Sequence, residues 1–256
     1  MIKYLIIDLR GIVLENTSKI RINKYISMSG FCSRRAADAL IEQGKVTVDG
    51  VPAVMGTKVC AGQKVCVEGQ CLNAFAEHKV YAFYKPVGYI SSMSDEQGIG
   101  ISGFFKGYDR VYPVGRLDKE SEGLMLLTND GEMMNKILNA AGGHEKEYLV
   151  KVDRDIDDNF LRKMSSGVTI TNGQTGRKVV TAPCKIDRID NRHFRIILIQ
   201  GLNRQIRRMC GCLNYKVINL KRIRIMNIDI GELKPGDIVE ITGAKLDELR
   251  RLTGEL

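Results

Sequence analysis

The stretch Gly115-Arg116-Leu117-Asp118-Lys119-Glu120-Ser121-Glu122-Gly123-Leu124-Met125-Leu126-Leu127-Thr128-Asn129-Asp130-Gly131 decides how the chain is read. A polar, glycine-bounded loop carrying Asp118 runs directly into an unbroken apolar segment, Leu124 to Thr128, closed by Asn-Asp-Gly. That pattern predicts a buried strand ending in a tight turn. Asp118 then stands on a loop at the edge of a rigid sheet. A loop aspartate alone is most often a cap or turn residue, so the surrounding chain must decide its role.

Downstream, Met133, Met134, Ile137 and Leu138 have helical spacing, and Gly142-Gly143 ends the run. Glu145 to Val152 alternates as a strand that carries Tyr148. Asp157 to Ser165 reads as a helix stopped by Gly167, followed by a turn at Asn172-Gly173 and strands over Val179–Ile189 and Phe194–Ile199. In the segment Gly201 to Cys210, Asn203 is a suitable N-cap. Ile206, Met209, Cys210 and Leu213 make one apolar helix face, and Arg204, Arg207 and Arg208 fall at i, i+3 and i+4 on another. Like charges at that spacing repel by ~0.2–0.5 kcal/mol per pair, so an anion or carboxylate between them is the economical explanation, a solvated basic face the plain one. Lys221, Arg222 and Arg224 follow on an alternating strand that puts Lys221 away from Arg222 and Arg224, and basic side chains on an exposed sheet face there fit contact with backbone phosphates.

Upstream, Val80–Tyr84 is a strand signal broken by Lys85-Pro86, which reads as a structural turn. Ser91 to Gly107 is rich in Ser and Gly and reads as a mobile loop. Residues 73–79 are polar and form the expected linker between a domain over 20–72 and a second over 80–256; residues 1–19 stay unassigned, with Lys3–Leu9 a possible strand. The 20–72 segment predicts two short helices, the second capped by Ser33 and stopped by Gly44, then short strands at Val46–Val48 and Lys64–Val67 about an Asp49-Gly50 turn. Arg34 and Arg35 occupy the first turn of the second helix, where the macrodipole already presents positive charge. An anion there would reverse an unfavourable arrangement.

The 256 residues are 44% hydrophobic, which permits a real core, and the formal net charge of +9 favours a polyanionic partner. No apolar run approaches the ~20 residues of a membrane span, and no secretory signal fits; a cytoplasmic protein is expected. Seven cysteines lack a paired metal spacing, so reduced thiols and no structural metal are expected. No phosphate loop, dinucleotide fingerprint or H-E-x-x-H occurs.

The Gly115–Gly131 stretch resembles the catalytic motif of the pseudouridine synthases, in the branch typified by RsuA and RluF, which isomerise uridines in ribosomal RNA. Further matching segments follow in that family's order. Arg21–Ile26, Ser33–Ala37 and Gly44–Gly50 resemble the small RNA-binding module named after ribosomal protein S4, which precedes the catalytic domain in this branch. The resemblance implies an α+β catalytic domain on a mixed, largely antiparallel sheet plus a small N-terminal α/β module. It implies Asp118 as the catalytic residue, Tyr148 stacking on the target base, and Arg207 as the partner of Asp118, with Arg208 the second choice. Leu220 matches an aliphatic position lining the active site, Lys85-Pro86 matches a lysine-proline motif, and Arg116 is the candidate to fill the hole left by an extruded base. Arg34, Arg35, Arg204, Arg208, Lys221 and Arg222 are expected to contact RNA. No cofactor is implied. The segments His144–Val150 and Gly201–Cys210 look closer to the RluF side of the branch, which favours 23S rRNA; 16S rRNA and tRNA are the alternatives, and a monomer is expected. Two competing classes are a non-catalytic RNA-binding protein and a carboxylate hydrolase pairing Asp118 with Glu120 or Glu122.

Overall fold

The computed structural model describes residues 19–72, 77–139, 142–173 and 175–255; the strand expected over Lys3–Leu9 and most of the expected linker lie outside them. The chain divides between His78 and Lys79 into two compact units.

In the first unit, β1 (Ile20–Arg21) leads into α1 (Ile22–Met28) and α2 (Arg34–Glu42). The strands β2 (Val46–Val48), β3 (Val51–Pro52), β4 (Lys58–Val59), β5 (Val65–Val67) and β6 (Gln70–Cys71) follow. The Ser33 hydroxyl accepts from the Ala36 amide at 3.1 Å, satisfying one of the open N–H groups of α2. Ile22, Ile26, Ala37 and Ile41 turn inward onto Val46, Val65 and Val67, so two short amphipathic helices share one small core with the sheet. The antiparallel register sets Cys66 directly opposite Cys71. The expectation of reduced thiols is corrected there, because that pairing brings the two sulfurs together in a disulfide.

The second unit contains β7 (Val80–Lys85), β8 (Tyr112–Val114), β9 (Glu122–Thr128), α3 (Gly131–Leu138), β10 (Lys146–Val152) and α4 (Asp158–Ser166). It continues through β11 (Thr169–Thr171), β12 (Lys178–Val180), β13 (Lys185–Arg188), β14 (His193–Leu198), α5 (Gln205–Cys212), β15 (Val217–Ile225), β16 (Ile228–Asp229), β17 (Ile238–Glu240) and α6 (Gly243–Leu252). Among the described residues the main sheet runs β13-β14-β10-β15-β9-β7-β17, with β16 beside β15 and β8 beside β9. This is the mixed, mostly antiparallel α+β arrangement expected: among the described residues only β9 and β15 pair in parallel.

The apolar run of β9 is explained by burial on both faces. Met125 and Leu127 enter one core with Phe83, Tyr148 and Val150, while Leu124 and Leu126 enter another with Ala82, Tyr84 and Ile225. Beyond it the structure departs from the expected tight turn at Asn129-Asp130-Gly131. Asp130 instead caps α3, its carboxylate accepting from the amides of Glu132 and Met133 at 2.8 and 3.1 Å. The strand expected over Val179–Ile189 is two strands, β12 and β13, interrupted around Pro183, which has no N–H for a ladder. The Ser91–Gly107 segment is not a bare loop: it contains a 3-10 turn at Ser102–Phe105 and buries Ile101 and Phe105.

Candidate active site

The Asp118 loop leaves β8 at Val114, turns at Gly115 (φ 78°) and closes on itself through a Ser121 N–H···O bond to the Asp118 carbonyl at 3.0 Å. Lys85, at the end of β7, has no exposed surface, and its ammonium donates to the Pro86 and Ser121 carbonyls at 2.7 Å each. It is thus a tie between the β7 end and the Asp118 loop, where the sequence alone read a turn. Burial pulls the Lys85 ammonium down to about 8; Asp118 and Glu122 oppose that shift and Arg222 adds to it.

Helix α5 brings two arginines to this loop. Arg204 reaches Asp118 at 3.6 Å and Glu120 at 2.9 Å, and Arg207 Nε lies 3.7 Å from a carboxylate oxygen of each. The Arg207 guanidinium is also fixed by donating to the Ser121 hydroxyl at 3.0 Å, the Glu120 carbonyl at 3.1 Å and the Val217 carbonyl at 3.3 Å. Its side chain is 12% exposed against 38% for Arg204, so Arg207 is the built-in cation beside Asp118 and Arg204 the solvent-facing one. Asn203 does not cap α5 as expected. The cap is Arg204 in a left-handed conformation (φ 51°), and the Asn203 side chain instead accepts from Arg208 at 3.1 Å.

Several separated segments meet at one cavity of about 80 Å³. Asp118 and Arg116 come from the loop, Tyr148 from β10 and Leu220 from β15, with Arg204 and Ile206 from the α5 region. Tyr148 and Leu220 are buried, at 9% and 6% exposure, while the Asp118 side chain is 24% exposed at the rim. Small, walled by an aromatic ring and a leucine, and rimmed by one carboxylate with two arginines, the cavity suits a flat, partly polar group delivered from a larger polyanion.

The sequence matches the RNA pseudouridylate synthase family over residues 79–211 and the S4 domain over residues 20–65. It is 46% identical over 237 residues to the dual-specificity RNA pseudouridine synthase RluF of Escherichia coli K12, covering 92% of this chain and 80% of that protein. The chain belongs to the RNA pseudouridylate synthase family. It is also 36% identical to the ribosomal large subunit pseudouridine synthase B of Bacillus subtilis, over 91% of this chain and 96% of that one. A crystal structure titled as a pseudouridylate synthase superposes with a TM-score of 0.64 at 25% identity, covering 91% of this chain and 99% of that chain. The chain is therefore an RNA pseudouridine synthase with an S4 domain at its N-terminal side.

Within this synthase the other expected RNA contacts divide by burial. Arg34, Arg35 and Arg116 are exposed and, among the described residues, make no ion pair. Arg208 is held internally, donating to the Thr171 carbonyl as well as to Asn203, which ties α5 to the end of β11. Arg222 corrects the expected basic sheet face: it is 3% exposed and its Nε donates to the Leu124 carbonyl at 2.7 Å. Arg224 is paired with Glu147 and Glu145 at 2.7 and 2.9 Å, and Lys221 sits 4.9 Å over the Tyr84 ring. The strand carries both exposed and buried positions, with Ile218 exposed while Val217, Leu220, Arg222 and Ile225 are buried, and Arg222 falls among the buried ones. Gln200 and Gln205 were missed. Both line the cavity, and Gln205 is 5% exposed, its side chain accepting from the Leu202 amide at 3.1 Å. Only a glutamine in an otherwise apolar helix stripe pointed to it. No helix among the described residues is long and apolar enough to cross a membrane.

Proposed function

We propose that this synthase converts uridine to pseudouridine in large-subunit (23S) ribosomal RNA, with Asp118 as the reacting carboxylate. The observation that carries the reading is the meeting of Asp118, Tyr148 and Leu220 from three separate segments at one small cavity with Arg207 fixed beside the carboxylate. Isomerisation breaks the C1′–N1 bond, turns the uracil in place and joins C5 to C1′, while the C5 hydrogen leaves as a proton. Substrate and product are isomers, so no redox partner or energy source enters.

Asp118 attacks the sugar or removes the C2′ proton; both routes need an ionised carboxylate held close to the ribose. The Arg207 guanidinium, 3.7 Å from that carboxylate, restricts its rotation. Tyr148 and Leu220 hold the detached uracil during its turn, and the apolar walls strengthen the Asp118–Arg207 attraction by excluding water. A target in a helix or stacked loop must first be extruded, and exposed Arg116 at the cavity rim is the side chain we assign to the vacated space. Arg204 then faces the adjoining phosphate, and Arg34 and Arg35 hold backbone phosphates elsewhere on the RNA. The large-subunit target is supported by the name of the B. subtilis relative. RluF is named dual-specificity, which supports a second RNA substrate, with tRNA the one to assay.

The test is tritium release from RNA carrying 5-tritiated uridine, run beside an RNA-binding assay. Asp118→Asn keeps shape and removes charge; its rate should fall by at least about 10³-fold while RNA affinity is retained. Arg207→Ala should be severely impaired as well, and the double variant little worse than the single ones, since groups acting as a unit are non-additive. Robust release by Asp118→Asn overturns the assignment.

A further inference from the structure

The backbone around Asp118 is tied down at several points, and four of the ties come from the end of β7 and the segment after it. The Ser91 hydroxyl accepts from the Leu117 amide at 2.9 Å and donates to the Leu117 carbonyl at 2.7 Å. That carbonyl belongs to the same planar unit as the Asp118 amide, so the bond sets the plane on which Asp118 hangs. The Asp118 carbonyl accepts from Ser121 at 3.0 Å, and the Lys119 carbonyl from the Gly88 amide at 2.8 Å. Three consecutive peptide planes, before and after the aspartate, are each held by one bond. Lys85 closes the series on the Ser121 carbonyl.

We propose that Ser91 is a positioning residue for Asp118, and that residues 85–91 act as a splint fixing the carboxylate against the cavity. The inference rests on the reading of Asp118 as the reacting group. Ser91 suits the task because one hydroxyl can accept and donate at once, and because its own base is fixed. The Ile90 amide donates to the Ile99 carbonyl and the Ile101 amide to the Ser92 carbonyl, each at 2.9 Å, and Ile101 is completely buried. Leu117 is itself 8% exposed, so the splint joins two anchored points rather than two mobile ones. An aspartate on an unsupported loop would sample several orientations. Displacement of a reacting group by about 1 Å can cost on the order of 10²-fold in rate without altering how tightly substrate binds.

Single-turnover tritium release and RNA affinity of the full chain separate positioning from fold and from binding. Ser91→Ala should lower the rate at saturating RNA by on the order of 10- to 100-fold, leave RNA affinity within about 2-fold and melt cooperatively. Ser91→Thr, which keeps the hydroxyl, should stay within about 3-fold of the parent. A full rate in Ser91→Ala, or an equal loss in the Ala and Thr variants, overturns the proposal. So does a Ser91→Ala protein that no longer melts cooperatively, because Ser91 would then hold the fold and not the carboxylate. Asp118→Asn measured in the same assay keeps the two readings apart: if it is active, the Asp118 assignment fails; if it is inactive while Ser91→Ala is fully active, only the splint fails.

Discussion

A lysine with no exposed surface is stable as a cation only when carbonyls and nearby carboxylates replace its water, and Lys85 has two carbonyls at 2.7 Å with Asp118 and Glu122 in range. Burial still wins, and the ammonium lies at about 8, below its ordinary value of 10.5. The sign follows from proton counting. Between these two values the unfolded chain binds more protons at this site than the folded one, so the Lys85 contribution to stability rises with pH across that window. Comparing parent with Lys85→Met by urea unfolding at pH 7 and pH 10 cancels the other titrating groups. The parent should gain relative to the variant at the higher pH, and a difference independent of pH would show that Lys85 is not depressed. The variant should be less stable at both, by roughly 1–3 kcal/mol, since two carbonyls lose their donor. None of this was visible in Lys85-Pro86 as a sequence, because burial of a strand-end lysine depends on a loop 36 residues later. Asp118, Tyr148 and Leu220 were nameable only through the order of motifs; their spacing along the chain says nothing of a shared cavity.

At the scale of elements, the parallel junction of β9 with β15 is what sets the loop beside the cavity wall. It places Lys221 opposite Glu122 and Arg222 opposite Gly123, while Leu220 on the same strand reaches the cavity. Gly123 is there for a steric reason: it has φ 106°, and a Cβ would stand 2.2 Å from the Arg222 carbonyl oxygen and 2.7 Å from its amide nitrogen. Backbone atoms cannot step aside as a flexible side chain could. Gly123→Ala should therefore cost roughly 2–4 kcal/mol in chemical denaturation and depress activity further than the stability loss alone, because β9 must pull away from β15. A neutral Gly123→Ala would mean the two strands separate freely. Local pattern was enough for most elements. Ser33 caps α2 as read, the helix read over Asp157–Ser165 is α4 with Asp157 as its cap, and the buried run of β9 followed from its unbroken apolar character. It was insufficient where a residue had two local uses, as with Asp130, which caps a helix instead of making a turn, and Arg204, whose left-handed backbone displaced Asn203 from the cap. Pairing between distant strands, the parallel one above all, has no local signal.

For the whole molecule, net charge alone overstates what RNA can use. Much of the +9 balance is committed inside the second unit: Arg222 to a carbonyl, Arg224 to two glutamates, Arg208 to a carbonyl and an asparagine, and Arg207 to the Asp118 loop. Arg34 and Arg35 in the first unit are exposed at the start of α2, where the helix dipole adds to their charge. Phosphate is the group that converts this unfavourable clustering into binding, through charge-assisted hydrogen bonds and counterion release. Replacing both with alanine should weaken RNA binding at low salt and reduce the slope of log K against log salt by about 1.4–1.8, on a scale of about 0.7–0.9 per phosphate neutralised. The single-turnover rate at saturating RNA should stay near the parental value, because neither arginine belongs to the unit that carries the cavity. Equilibrium binding across a salt series, paired with tritium release at saturation, reads the two effects separately. An unchanged slope removes the phosphate site from α2, whereas a lost rate at saturation would mean that the first unit acts on the chemistry and not on recruitment alone.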